Sequence, residues 1–172
     1  MGTVGRMLPS FTRNRLPASV REALDLVRGE RPLAFAPTRG GSYVVATGVA
    51  LHLPTGDGGF VRLPWERIDR ATWDKGRLSV HETSGGPAHH VGLPDPGSVP
   101  ETIRERVTST IVVNHPAALP GGGKVRITGR RSPATGELRW SFVFEAGLDP
   151  DDPGLRAQAE QLLENLRRQT GL

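Results

Sequence analysis

Residues 43–93 constrain the fold most, because apolar and polar side chains alternate there between closely spaced turns. A period of two is typical of strands with one buried face. Glycine or proline interrupts the pattern at residues 55–59, 75–76 and 84–87. Glycine tolerates positive φ and proline fixes its own φ, so both favour turns. The sequence therefore predicts an antiparallel meander.

Two hairpins in this meander predict a strand register. A two-residue turn at residues 75–76 would pair Ala71 with Val80. A turn at residues 84–87 would then pair Val80 with Val91. Apolar side chains meet on one face in both hairpins, and a slip by one residue would destroy both matches.

Helical spacing of apolar residues predicts three helices outside the meander. The first begins at Pro17 and ends before Gly29, ahead of a first strand at residues 32–36. The second spans residues 98–112 and opens with the capping-box pattern S-x-x-E. The third begins at Pro153, which follows an acidic stretch that suits a helix N-terminus.

A further hairpin is predicted before the last helix. Residues 115–123 are predicted to form an irregular connector, because they hold prolines and three consecutive glycines. Residues 138–144 alternate large apolar and other side chains, as a strand with one buried face does. The last helix would cover this face within the chain, or it would do so across a homodimer.

Composition excludes several classes of protein. The chain has 172 residues, 22 glycines, 15 prolines and no cysteine, so it has no disulfide framework and no thiolate chemistry. We expect a reducing compartment, the cytoplasm. No segment approaches the roughly 20 apolar residues of a membrane span. The N-terminus is basic but lacks the apolar region of a signal peptide.

The net charge of +4 comes almost entirely from arginine. A genome rich in G and C would produce this bias, and so would selection for binding phosphate or carboxylate groups. The charged residues are scattered along the chain, with acids interleaved among the arginines. This arrangement disfavours a nucleic-acid interface.

No motif predicts catalysis, a cofactor or a metal. The run Gly121–Lys124 resembles a phosphate loop, but Val125 stands where that motif needs Ser or Thr. His81 and His90 would face each other across a hairpin, yet a third ligand is missing and Arg70 lies beside them. We therefore predict no metal site.

A cluster of arginines around one tryptophan is the candidate ligand-binding site. It comprises Arg62, Trp65, Arg67 and Arg70. Tryptophan and arginine are enriched at the centres of binding interfaces. The alternative is that Trp65 belongs to the core and that the arginines form a solvated face with neighbouring acids.

The order of elements resembles a pleckstrin-homology-like (PH-like) domain of small bacterial proteins. The resemblance implies an α+β, mainly antiparallel fold: a seven-stranded barrel of two orthogonal sheets capped by a helix. The family includes phosphoinositide-binding members with basic residues in the first strand-to-strand loop, where this chain has only Arg39, so that ligand is not favoured. The resemblance covers residues 20–113 and is carried by residues 29–34, 45–47, 50–53 and 64–68.

These observations predict three regions. Residues 1–15 form a flexible basic tail, residues 16–113 form the PH-like barrel with its N-terminal and capping helices, and residues 114–172 form a hairpin-helix extension. The resemblance implies a non-catalytic binding module that engages a protein or a small anionic ligand. The alternatives are a small enzyme with a dispersed site, including His52, His81 and Glu66, and a weak nucleic-acid-binding protein.

Overall fold

The protein is an α+β chain with three antiparallel sheets and three helices, as a computed structural model shows for residues 15–172. The tail predicted for residues 1–15 lies, apart from Arg15, outside the described residues. A helix and seven strands come first: α1 (Ala18–Leu24), β1 (Pro32–Pro37), β2 (Tyr43–Thr47), β3 (Ala50–Pro54), β4 (Phe60–Pro64), β5 (Ile68–Asp74), β6 (Arg77–Glu82) and β7 (Ala88–Gly92).

A second helix and a second group of strands follow. They are α2 (Val99–Ser109), β8 (Ile111–Ala118), β9 (Lys124–Arg131), β10 (Leu138–Phe144) and α3 (Pro153–Thr170). The first seven strands form a four-stranded sheet, β1-β2-β3-β4, and a three-stranded sheet, β5-β6-β7. The predicted order of seven antiparallel strands followed by a helix is confirmed, but within the described residues these strands form two separate sheets and not a closed barrel.

These two sheets and α2 share one hydrophobic core. The helix contributes Val99, Ile103 and Val107, which occupy one face at helical spacing. The other face of the four-stranded sheet is covered by α1, whose Leu24 packs with Val45 of β2. Strands β2 and β3 are consequently buried on both faces.

Trp65 lies where the chain passes from the first sheet to the second. Pro64 ends β4, and a single 3₁₀ turn at Trp65–Arg67 leads into β5. The Trp65 ring is completely buried, and its Nε1 donates to the carbonyl oxygen of Thr47 at 2.9 Å. A buried indole needs such a partner. Trp65 therefore joins the two sheets in the core.

Both helices predicted before residue 113 are shorter than expected. Helix α1 ends at Asp25, which has a φ of 50°, and Val27 is 55% exposed rather than on the buried stripe. Helix α2 ends at Ser109, and Ile111 begins β8 instead of continuing the helix. The prediction of a capping box at the start of α2 is wrong, because the Ser98 side chain makes no cap hydrogen bond.

The register of the first predicted hairpin is confirmed. Ala71 pairs with Val80, and the turn residues Lys75 and Gly76 have φ values of 48° and 77°. Two consecutive positive φ values are typical of a type I′ turn, whose twist matches that of the strands.

The register predicted for the second hairpin is wrong by two residues. Val80 pairs with His89, not with Val91. The turn falls one residue earlier than predicted, because Ser84 and Gly85 adopt positive φ values of 60° and 69°. A shift of two residues keeps every side chain on its predicted face. The core face of this sheet is therefore as predicted, although its partners are not.

The C-terminal extension is a three-stranded sheet, not a hairpin. Its order is β10-β9-β8, and residues 115–118, predicted as part of a connector, form the second half of β8. Pro116 lies within β8, which proline permits because β8 is an edge strand. Side-chain alternation did not predict β8, because a proline and polar residues interrupt the alternation within it.

Helix α3 covers this sheet within the chain. The side chain of Asp152 caps its start by accepting from the backbone N–H groups of Gly154 and Leu155, and Gly171 ends it with a φ of 73°. This agrees with the predicted helix. A second hydrophobic cluster joins the two layers and contains Leu119, Val125, Phe142, Phe144, Leu155, Ala159 and Leu162.

Truncation after Glu145 removes α3 and tests this cover. We expect aggregation or loss of cooperative unfolding, because each large apolar side chain that loses its burial costs about 1.5–3 kcal/mol. Size-exclusion chromatography and thermal unfolding measure the result. A truncated chain that stays monomeric and as heat-resistant as the full chain would contradict the packing role of α3.

Candidate functional site

The four residues predicted to bind a ligand lie in different environments. Trp65 is completely buried and is therefore not a surface contact; it occupies the core position that was the alternative. Arg62, on β4, makes a salt bridge to Glu30. Arg67 is exposed on the 3₁₀ turn, and Arg70, on β5, lines a cleft.

Glu30 lies in the segment between α1 and β1 and is at the centre of a buried polar cluster. Its side chain is completely buried. It accepts hydrogen bonds from Thr47 Oγ1 at 2.6 Å and from Arg62 Nη1 at 2.8 and 2.9 Å, and it lies 3.1 Å from His52 Nε2. The backbone N–H of Val27 donates to its other oxygen at 3.1 Å. Sequence patterns missed Glu30 because its partners come from three separate strands.

The hydrogen-bond donors of the cluster stabilise the charge of the Glu30 carboxylate. Burial alone would raise the pKa of Glu30, but hydrogen bonds from Thr47, Arg62 and His52 outweigh it and lower the pKa from 4.5 to about 2. Burial lowers the pKa of His52, although Glu30 opposes that effect. His52 is therefore neutral near pH 7, with Nε2 donating to the carboxylate, because an ionised carboxylate only accepts. This arrangement holds the segment between α1 and β1 to the sheet and leaves His52 only 1% exposed.

Replacing Glu30 with Gln tests the cluster. A lowered carboxyl pKa contributes stability above the unfolded value of 4.5, and this contribution is lost as the pH falls toward 2. We expect Glu30→Gln to lose about 2 kcal/mol of unfolding free energy at pH 7 and progressively less below pH 4.5. Urea unfolding across this pH range measures the difference. A difference that does not depend on pH would contradict the assignment.

A cleft of about 270 Å³ lies where the first part of the chain meets the C-terminal sheet. Residues 141–144 of β10 form one wall. Arg70 and His81, which pair across β5 and β6, form the opposite wall. Asp151 and Arg156, at the start of α3, also line it. Of the four predicted residues, only Arg70 reaches this cleft.

Two arginines and one histidine that line the cleft have no side-chain partner among the described residues. Arg70, His81 and Arg156 make no side-chain hydrogen bond or salt bridge to any residue in the range 15–172. Two of the acids that line the cleft, by contrast, already have a side-chain partner. Asp69 lies 3.9 Å from Arg130 Nη2, and Glu82 lies 2.9 Å from His89 Nε2. Asp151 is the remaining acid, so the cleft suits an anionic group.

The predicted pair of histidines is brought together, but not as a metal site. His81 and His90 lie edge to face with ring centroids 6.4 Å apart, and His90 pairs with Ser79 across the strands. The described part of the chain contains no group of three His, Cys, Asp or Glu side chains placed to hold an ion. His52 and His81, both named for an enzyme site, lie on different sheets.

A second cavity, of about 460 Å³, opens between the β1–β2 and β3–β4 loops. Glycines dominate its lining, and no arginine or lysine contributes to it. Arg39 instead lies against Gly92, where an added Cβ would be 3.0 Å from Arg39 Cβ. This cavity therefore lacks the cationic side chains that bind phosphate groups.

Arg130 links the C-terminal sheet to the first half of the chain. Its side chain is 5% exposed. Nη1 donates to Val107 O at 3.2 Å and to Thr110 Oγ1 at 3.1 Å. Nη2 donates to Asp69 O at 3.4 Å. Burial lowers the pKa of Arg130 and the charge of Asp69 opposes this, but arginine remains protonated. One side chain of β9 thus ties the C-terminal sheet to α2 and β5.

Arg130→Met keeps the apolar stem and removes the donors. We expect a loss of about 2–4 kcal/mol, since the carbonyl oxygens of Val107 and Asp69 lose buried partners. Arg131→Met is the matched control, because Arg131 is exposed and its surface substitution should change stability by less than about 0.5 kcal/mol. Urea denaturation compares the two; equal losses would contradict the linking role.

The chain has no significant match among protein-family models, curated proteins or solved structures. No helix within residues 15–172 has the length and apolar character needed to cross a membrane.

Proposed function

We propose that the chain is a cytoplasmic, non-catalytic binding module of the PH-like class, and that it engages a protein or a small anionic ligand at the cleft beside β10. Seven antiparallel strands followed by a helix in one shared core support the PH-like assignment. The helix α2 packs against both sheets of that core, as the resemblance implies.

One observation carries the binding proposal. Arg70, His81 and Arg156 converge on the cleft without partners among the described residues, whereas Asp69 and Glu82 are paired. Unpaired guanidinium groups favour carboxylate or phosphate, which they bind through parallel hydrogen bonds. At about 270 Å³ the cleft is slightly smaller than the roughly 300–1,000 Å³ of pockets for drug-sized molecules. It suits a small anion or the acidic side chains of a larger partner.

Titration with succinate and with inorganic phosphate, followed by ¹H–¹⁵N NMR, tests this proposal. We expect the largest shifts at Arg70, His81 and Arg156. The double substitution of Arg70 and Arg156 by Gln should weaken binding at least about tenfold, because each removes a charge-assisted hydrogen bond worth about 1.5 kcal/mol or more.

The matched control is Arg104→Gln, since Arg104 is exposed on α2 and does not line the cleft. It should bind as the parent chain does. Equal weakening by the control would indicate nonspecific attraction to net charge, and it would contradict a site in the cleft.

A further inference from the structure

Strand β10 has an open edge along the cleft. It pairs with β9 on one side and with no other strand of the described chain. The hydrogen bonds from Ser132 N to Glu137 O and from Glu145 N to Lys124 O, both 2.9 Å, identify Glu137 and Glu145 as residues that bond toward β9. In an antiparallel pair, alternate residues bond to the partner strand. The odd-numbered residues of β10 therefore bond to β9, and the even-numbered residues point their backbone groups outward.

The outward backbone groups belong to Trp140, Phe142 and Phe144. Their N–H and C=O groups have no backbone partner in the part of the chain that the structure describes. Such an edge is a template for one more strand, since each outward residue offers both a donor and an acceptor.

The cleft runs along this edge rather than over one face of the sheet. Four consecutive residues of β10, 141–144, contribute to its lining. Successive side chains of a strand point to opposite faces, so four residues in a row share only the strand's edge. The unpaired Arg70, His81 and Arg156 thus line the space into which an added strand would fit.

The charges of the candidate segments indicate which kind of strand can be added beside β10. A second copy of β10 would bring Arg139 and no acid, because residues 138–144 contain none. Residues 1–14 of the same chain contain Arg6 and Arg13 and no acid either. Neither segment offers a carboxylate to Arg70 and Arg156, whereas an extended segment rich in Asp or Glu does.

We propose that the cleft binds an extended acidic segment of a partner protein, which adds to β10 as a fourth strand. The proposal rests on the proposed function, because it names the partner of the same cleft. Backbone hydrogen bonds to Trp140, Phe142 and Phe144 hold the segment, and its acidic side chains meet Arg70, His81 and Arg156.

Capped octapeptides with Glu at every second position and random residues between are the probe, and a matched library with Lys in place of Glu is the control. We expect the Glu library to yield binders of the full chain with a Kd below about 100 µM, and the Lys library to yield none. In the complex, hydrogen exchange of the Phe142 and Phe144 amides should slow at least about tenfold.

Alternate N-methylation of the best peptide tests strand addition directly. Methylating the amides of one parity removes the hydrogen bonds to β10 and should weaken binding at least about tenfold, whereas methylating those of the other parity should change it little. On the protein, Val143→Glu places a negative charge on an exposed position of the cleft wall and should weaken binding about tenfold relative to Val143→Gln.

The outcomes separate the two proposals. If succinate or phosphate binds at Arg70 and Arg156 but methylation of either parity has equal effect, strand addition is wrong and the anion-binding module stands. If no acidic peptide binds below about 100 µM, strand addition is also wrong. If neither small anions nor peptides bind in the cleft, both proposals fall.

Discussion

The buried guanidinium of Arg130 is the interaction on which the arrangement of the two halves depends. It extends from β9, the central strand of the C-terminal sheet, to carbonyl oxygens of α2 and β5. A cation suits the end of α2, where backbone carbonyl groups lack helical partners. Removing a buried charge from water is costly, so the donors of this side chain must reach acceptors in fixed places. Those acceptors fix the position of β9, and therefore of β10, relative to β5.

The cleft follows from this arrangement. The hydrophobic cluster that joins the first two sheets and α2 is separate from the cluster that joins the C-terminal sheet and α3. Each buries its own apolar faces, so the space between β5 and β10 is not filled by core side chains. Residues 141–144 of β10 line it on one side, and Arg70 and Arg156 approach it from different halves of the chain.

The arginines of the chain lie in two different environments. Arg62 is neutralised by Glu30, and the cluster of which they form part is closed to ligands because Glu30 and His52 are buried. Arg70 and Arg156 have no such partner among residues 15–172 and line an accessible cleft. A guanidinium that already binds a carboxylate stabilises the fold, whereas one without a partner remains available for a ligand. This contrast separates a structural site from a candidate binding site, although both were built from the same residue type.

The sequence by itself determined the elements that depend on neighbours in the chain. The turn at Lys75 and Gly76 fixed the β5–β6 register, and Asp152 and Gly171 marked the ends of α3, because turn and cap chemistry acts over a few residues. The tertiary structure alone decided the β6–β7 register, where two registers two residues apart place the same side chains in the core. The tertiary structure also decided the partners of two arginines. Arg62 binds Glu30, which lies 32 residues away in the chain, and Arg130 binds Asp69, which lies 61 residues away. Side-chain periodicity identifies a buried face, but it carries no information about which distant face or charge will lie against it.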